Sequence, residues 1–333
     1  MDWPTILLTG LAGVLATAGP LVVAAIGEAI SERAGVVNLS LNGTLILSAM
    51  AGFAAAVATG SLAAGFLCGA AVGAAAALLV AFAGITLRQS QVAVGFVLAL
   101  TLRDLAYFLG APVMGAAGPR LDILPVPLLE RLPVVGPMLF RQDVMTYASF
   151  LLIAAAWVWI YRTRPGLTLR GLGEQPAAAF VRGADVIRLR YLYTVAGGAL
   201  VGLAGPMYSL SVKAGWKGTI SGLDGLGWIA LALTIFGGWH PLRIAAGAYL
   251  FAFLQWLGVV LQPFLPGIPS QVLQVAPFPF MILTLVLVNV GQAEWTSRLL
   301  ALLPEGGRRR LAGLLRLLRA SPPAALGQTF KRE

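Results

Sequence analysis

Apolar runs follow one another along almost the whole chain, separated by short polar, glycine-rich or proline-rich breaks. A membrane-spanning helix needs ~20 mostly apolar residues. On that measure the candidates are Pro4–Ile26, Leu39–Thr59, Leu62–Ile85, Val92–Leu109 and Val144–Tyr161, then Tyr191–Leu210, Leu226–Gly237, Ile244–Leu261 and Ala276–Val290. Leu226–Gly237 is short for a crossing, so it borrows Gly222–Gly225 or forms a broken or tilted helix. The pattern predicts an all-α polytopic transmembrane bundle of about 8–10 spans with a broken early helix. A membrane domain over residues 1–297 would be followed by a basic tail, 298–333. Between Gly110 and Arg141, Pro112, Pro119, Pro125, Pro127, Pro133 and Pro137 favour extended or short helical pieces over another span.

The polar breaks carry the candidate chemistry. Ile26–Met50 reads IGEAISERAGVVNLSLNGTLILSAM. Glu28 and Glu32 stand at i,i+4 on one helix face, with Arg33 placed to neutralise one of them. Gly35 and Gly43 are the residues at which a helix would break. Asn38, Ser40, Asn42 and Thr44 continue the polar character into the next apolar run. Ionisable groups within a membrane are costly and face a cavity or one another. A broken helix also exposes backbone and amides that suit the wall of a polar solute's path. Glu28, Glu32, Arg33, Asn38 and Asn42 are therefore candidate path residues; the competing reading is an interfacial hairpin whose charges see water. Gln91 either reaches into the same path or caps the start of the fourth helix. Arg103 and Asp104 are placed to pair on that helix. Val212–Trp228, with five glycines, reads as an ordered re-entrant segment that contacts solute or a delivery protein, or as a plain connecting loop.

The longest polar interruption is the basic loop 162–190, in which Arg162, Arg164, Arg170, Arg182, Arg188 and Arg190 outweigh Glu174 and Asp185. Pro176 suits the first turn of a short helix, where its missing donor is not needed. Gly183 suits the stop. Between them Ala177, Ala178, Ala179, Phe180 and Val181 make a slim apolar body. One reading is a short helix held outside the membrane to sit in another protein's groove; the other is a solvated positive-inside loop.

Composition narrows the class. The chain is 59% hydrophobic and 11% charged, against ~25% charged in soluble domains. Its net charge of +10 is concentrated in the loop 162–190 and the tail, which is the positive-inside pattern of a membrane protein and not a nucleic-acid face. With both basic segments in the cytoplasm, Lys213 and Lys217 lie outside, Gly237–Arg243 inside, and a first helix retained as a span starts outside. The tail LPEGGRRRLAGLLRLLRASPP reads as an amphipathic helix on the inner leaflet, or as a disordered basic tail. Cys68 is the single cysteine and His240 the single histidine, so neither a disulfide nor a thiolate or histidine metal set is expected. No Gly-rich loop ends in Gly-Lys-Ser/Thr. The sequence offers no catalytic constellation and no cofactor site, and any ATP-driven work would come from a partner.

Three stretches together resemble a known family. GEAISERAGVVNLSLNG (27–43), RPGLTLRGLGEQPAAAFVRG (164–183) and the late block 197–247, with GGALVGLAGPMYSL and FGGWHPLRIAAGA, are similar to the membrane permease subunits of bacterial ABC importers. The likeness is to the simple-sugar and nucleoside branch related to the branched-chain amino-acid permeases. The resemblance implies a multi-pass protein of the bacterial cytoplasmic (inner) membrane, two permease subunits (identical or sister chains) forming the path, and two cytoplasmic ATPases. An extracytoplasmic solute-binding protein or lipoprotein would deliver the solute. It also implies a coupling helix at 164–183, with Gly173, Pro176, Ala177, Ala178 and Gly183 in register and Glu174 and Phe180 in the same element. The serine-glutamate-arginine form favours import of a nucleoside or related small polar solute over a ribose-type sugar. Asn42 and Gln175 depart from the residues common in the family. An ion-coupled secondary carrier using Glu28 and Glu32 is the rival outside this class.

Overall fold

The computed structural model describes residues 3–264 and 321–330, with isolated positions 267, 272 and 279. The expected ninth span, Ala276–Val290, and the amphipathic stretch of the tail lie outside the described residues. Among those described, eight helical segments are long and apolar enough to cross a membrane, one of them only when the turns from Gly218 are counted together with Leu226–Phe236. The all-α bundle expected from the apolar pattern is what forms.

The helices are α1 (Trp3–Arg33), α2 (Leu41–Thr59), α3 (Leu62–Ala81), α4 (Gln91–Leu109) and α6 (Val144–Arg162), with the short α5 (Val135–Leu139) in the proline-rich loop between α4 and α6. Then come α7 (Arg164–Glu174), α8 (Pro176–Val181), α9 (Val186–Met207), α10 (Leu226–Phe236) and α11 (Pro241–Leu261). α3 and α9 each run on into a π turn, over Phe82–Thr86 and Tyr208–Val212. Side-chain caps mark several starts. The Asp143 carboxylate accepts from Met145 and Thr146 N–H at 2.8 and 2.9 Å, and Thr163 and Asp185 do the same for α7 and α9.

α9 is the central helix, packed on α1, α2 and α3. Small residues make this packing close. A Cβ on Gly202 would run into the Gly69 carbonyl, and one on Gly73 into the Gly198 carbonyl. In lipid, where no hydrophobic force drives helices together, such backbone approach supplies the packing energy. The proline-rich loop between α4 and α6 holds 3₁₀ turns and a two-stranded antiparallel pair, β1 (Ile123–Pro125) with β2 (Arg141–Asp143), in the register Ile123↔Asp143.

The chain divides into two compact units, Met1–Tyr249 with Pro322–Glu333, and Leu250–Ser321. The second contains the last part of α11 and a 3₁₀ turn, Gln262–Phe264. Within it the rings of Phe253 and Trp256 lie 5.7 Å apart.

In the first unit, hydrogen bonds gather the end of α1, the α6–α7 junction and the α10–α11 turn at one end. Arg33 Nε donates to the Trp239 carbonyl at 2.9 Å, and Arg33 Nη2 to Tyr161 Oη at 2.8 Å. This end bears Arg162, Arg164, Arg170, Arg182, Arg188 and Arg243 and is the basic end of the bundle, the side for which the positive-inside rule sets a cytoplasmic expectation.

Candidate functional site

The first helix runs seven residues further than its apolar stretch predicts, to Arg33. Its polar residues are buried against protein, so the helix needs no water to continue: Glu28 and Ser31 are wholly buried and Glu32 nearly so. Glu28 Oε1 accepts the Asn38 N–H at 3.2 Å, and Glu32 accepts from the indole N–H of Trp239. Arg33 neutralises neither carboxylate. It turns instead to the Trp239 carbonyl and to Tyr161, whose ring it overlies at 5.4 Å. The interfacial hairpin is not what forms.

The break comes at Gly35, whose φ of +90° a residue with a side chain resists. Residues 34–40 then turn back alongside α1. Asn38 is buried, and its Oδ1 accepts from Ser40 N–H at 3.2 Å and from Ser40 Oγ at 2.6 Å. Gln91 fixes this turn from α4, accepting the Val37 N–H at 2.8 Å; the cap of α4 is Ser90, which accepts from Ala93 N–H. Gly43 is not a breaker. It lies within α2, where a Cβ would meet Ala99.

α2 thus begins inside the protein, and α10 begins beside it. α10 has 11 residues, about 16 Å of helix, roughly half the thickness of a hydrocarbon core. The chain reaches its start through the glycine-rich segment after Val212, which forms a 3₁₀ turn over Gly218–Ser221. There Lys213 donates to the carbonyls of Ser221 and Gly222 at 2.9 and 2.8 Å, and burial lowers its pKa below that of an ordinary lysine. Asn42 joins the two helix starts. Its Nδ2 donates to Asp224 Oδ1 at 2.7 Å, and its Oδ1 accepts the Gly225 N–H at 2.9 Å. Gly227 permits this approach, because a Cβ there would strike the Asn42 backbone. On the far side of Asp224, Arg103 Nη1 stands 3.7 Å from Oδ2 while its Nε pairs with Asp104 at 2.9 Å.

Glu28, Asn38, Asn42 and Gln91 are therefore brought together around the turn at 34–40 and the start of α2, while Glu32 and Arg33 belong to the basic end. Sequence reasoning paired Arg103 with Asp104, as found, but missed Asp224 as the partner of Asn42. The signal was a lone aspartate among glycines ahead of a helix too short to cross. What it lacked was the long-range register that sets residues 42 and 224 side by side.

The basic loop folds into two helices. Thr163 caps α7, which buries Gly166, Leu169, Leu172 and Gly173. Pro176 opens α8, which has Ala179 buried and Phe180 and Val181 exposed, and Gly183 follows with φ +88°. Gly173 lies so close to the Arg33 carbonyl that a Cβ would collide with it. The last described residues lie on this element. The Ala325 N–H donates to the Gly173 carbonyl at 2.7 Å, and the Gly327 N–H to the Gly35 carbonyl at 3.0 Å. Arg190 Nη1 donates to the Gln328 carbonyl at 2.7 Å, and the Phe330 ring lies 5.7 Å from that of Phe180. Nearby, the His240 ring lies tilted against that of Tyr161 at 4.9 Å, and burial, then Arg243 and Arg33, lower its pKa.

Among the described residues no group of histidines, cysteines and carboxylates could hold a metal ion. The arrangement is a bundle with two helix starts meeting inside it through polar side chains and a compact helical element on its basic end.

Comparison with known proteins agrees. Residues 10–290 match the family described as the permease component of the branched-chain amino acid transport system. The chain is 37% identical over 242 residues to a putative glucose ABC transporter permease of Haloferax volcanii, covering 71% of this chain and 73% of that one. It is 32% identical over 312 residues to the guanosine ABC transporter permease NupQ of Bacillus subtilis, covering 88% and 96%. It is 32% identical over 291 residues to the nucleoside ABC transporter permease NupC of Lactococcus lactis, covering 83% and 91%. No solved structure matches. A bundle of apolar helices with a basic end, matched over most of its length by permease subunits, belongs to that family: the chain is a multi-pass membrane permease of the branched-chain amino acid transport permease family.

Proposed function

We propose that this permease forms half of the path by which an ABC importer moves a nucleoside or related small polar solute into the cell, with ATP hydrolysis supplied by a partner ATPase. The observation that carries the path is the meeting of the starts of α2 and α10 within the helix bundle, joined by Asn42, Asp224 and Gly225. Discontinuous helices whose starts converge near the midplane offer polar backbone and side chains to a solute where continuous helices offer only hydrocarbon. Glu28, Asn38 and Gln91 brace the turn that delivers α2 to this point, and Glu32 and Arg33 anchor its cytoplasmic base. Coupling is assigned to Gly173, Glu174, Pro176, Ala177, Ala178, Phe180 and Gly183, because α8 presents Phe180 and Val181 outward on the basic end. The chain performs no chemistry of its own. It pairs with a second permease subunit, identical or sister, and receives solute from an extracytoplasmic binding protein or lipoprotein.

The full-length relatives named for guanosine and nucleosides support this solute class; the relative named for glucose favours a simple sugar as the second reading. Purification in mild detergent, with mass spectrometry of co-purifying chains and ligand screening of the accompanying binding protein, tests both. An ATPase and a binding protein that takes nucleosides are expected. A binding protein that takes only sugars would replace the solute, and a chain that moves solute alone would refute the reading.

A further inference from the structure

Charge within a membrane span marks a face that lipid does not cover, because ionisable side chains there face protein or water. On α3 the exposed large residues Leu67, Leu78, Leu79 and Phe82 are all hydrocarbon, as a lipid-facing surface requires. The seam between α4 and α10 is different. Arg103 lies about 18 Å along α4 from its first residue, with its side chain 32% exposed, and Asp104 and Asp224 are 65% and 45% exposed. Seven residues earlier on the same face of α4, Phe96 is 49% exposed. Its ring lies 6.2 Å from that of Trp228, in the first turn of α10 and four residues after Asp224, at an interplanar angle of 40°. The seam therefore presents, in order from the cytoplasmic side, an aromatic pair and then a carboxylate held between Asn42 and Arg103.

These groups match one kind of solute. Aromatic rings stack on any nucleobase, whatever its edge pattern. A carboxylate accepts at about four lone-pair sites, and Asn42 and Arg103 occupy only part of that capacity, which leaves acceptors for sugar hydroxyls. Neither group alone distinguishes a nucleoside, since rings also pack on sugars. Their separation along one seam, ring contact below and hydroxyl acceptor above, fits a molecule with a flat base at one end and a polyol at the other.

We propose that the α4–α10 seam is the solute-recognition subsite of the path, in which Phe96 and Trp228 stack the base and Asp224 accepts hydrogen bonds from the ribose hydroxyls. The proposal rests on the nucleoside reading above and adds the residues that select within it. Asn42 and Arg103 are positioning residues that hold the carboxylate.

The test is uptake by the assembled transporter in proteoliposomes, at saturating binding protein, with adenosine, 2′,3′-dideoxyadenosine and ribose as probes. Trp228→Ala is expected to slow adenosine uptake by about fivefold or more, the low end of a lost stacking contact, while Trp228→Phe restores most of it. Asp224→Asn is expected to slow adenosine more than the dideoxy compound, so that the preference between them collapses. A merely structural defect would slow both alike. A Trp228→Ala variant that moves adenosine at the unsubstituted rate, or an Asp224→Asn variant that slows both probes equally with melting temperature unchanged, overturns the subsite. Unsubstituted transporter that moves ribose but no nucleoside overturns the nucleoside reading itself, a result told apart because it requires no variant.

Discussion

Removing the Asn42 side chain should cost stability in a way that depends on Asp224. Asn42→Ala deletes the 2.7 Å bond to the Asp224 carboxylate and leaves the Gly225 N–H without its acceptor. Hydrogen bonds to charged groups contribute ~1.5–3 kcal/mol in general, but interhelical bonds in membrane proteins average ~0.6 with a maximum near 1.7. Asp224 is 45% exposed, so water recovers part of the loss, and the coupling between the two side chains is set at about 1 kcal/mol. A double-mutant cycle of Asn42→Ala and Asp224→Ala, read by thermal unfolding in one detergent, measures it. At ~2–4 °C per kcal/mol for a domain approaching this size, the double variant should melt a few degrees above the additive expectation. A sharper form uses charge. Asn42→Asp keeps an acceptor for Gly225 but sets two carboxylates together, and adding Asp224→Asn should restore stability by exchanging donor and acceptor. Additivity within ~0.5 kcal/mol, together with no rescue in the exchanged pair, would refute the joint between α2 and α10.

Three further outcomes follow from the cytoplasmic end. Phe180→Asp places a charge on the outward face of α8 and should leave the protein folded while uncoupling ATP hydrolysis from uptake; unchanged uptake per ATP would remove α8 from the coupling role. Truncation after Ser321 deletes the contacts of residues 322–330 with Gly173, Gly35 and Arg190, so amide exchange in residues 34–40 and 173–183 should accelerate, by hydrogen-exchange mass spectrometry. His240 has its pKa held below the ordinary 6.5 by burial and by Arg243 and Arg33, so the unfolded chain takes up this proton first. The stability it contributes is full above pH 6.5 and is lost as the pH falls below it; His240→Gln should flatten the melting temperature between pH 7 and 5.

Much of this molecule is legible in its hydrophobic pattern, because lipid forces backbone polar groups to be satisfied within helices and leaves length as the remaining variable. Pro176 and Gly183 bracket α8 where local chemistry requires it. The end of α1 was not legible, since nothing local shows that Glu28, Ser31 and Glu32 would find protein partners and let the helix continue to Arg33. Gly43 looked like a breaker for the same reason: its role is to admit Ala99 from α4, a contact fixed only by tertiary packing. Asp224 and Trp228 were passed over within a glycine-rich loop because their partners, Asn42 and Phe96, are far away in sequence.

The central claim is that this permease moves solute past the α2–α10 joint only when an ATPase drives it. Reconstitution of the chain with its co-purified partners, followed by radiolabelled nucleoside uptake with and without internal ATP, measures that directly. Uptake that requires both ATP and the ATPase, and that falls in Asn42→Ala, is the predicted result. Uptake by the chain alone, driven by a proton gradient and abolished by Glu28→Gln or Glu32→Gln, would contradict it and make the protein an ion-coupled carrier.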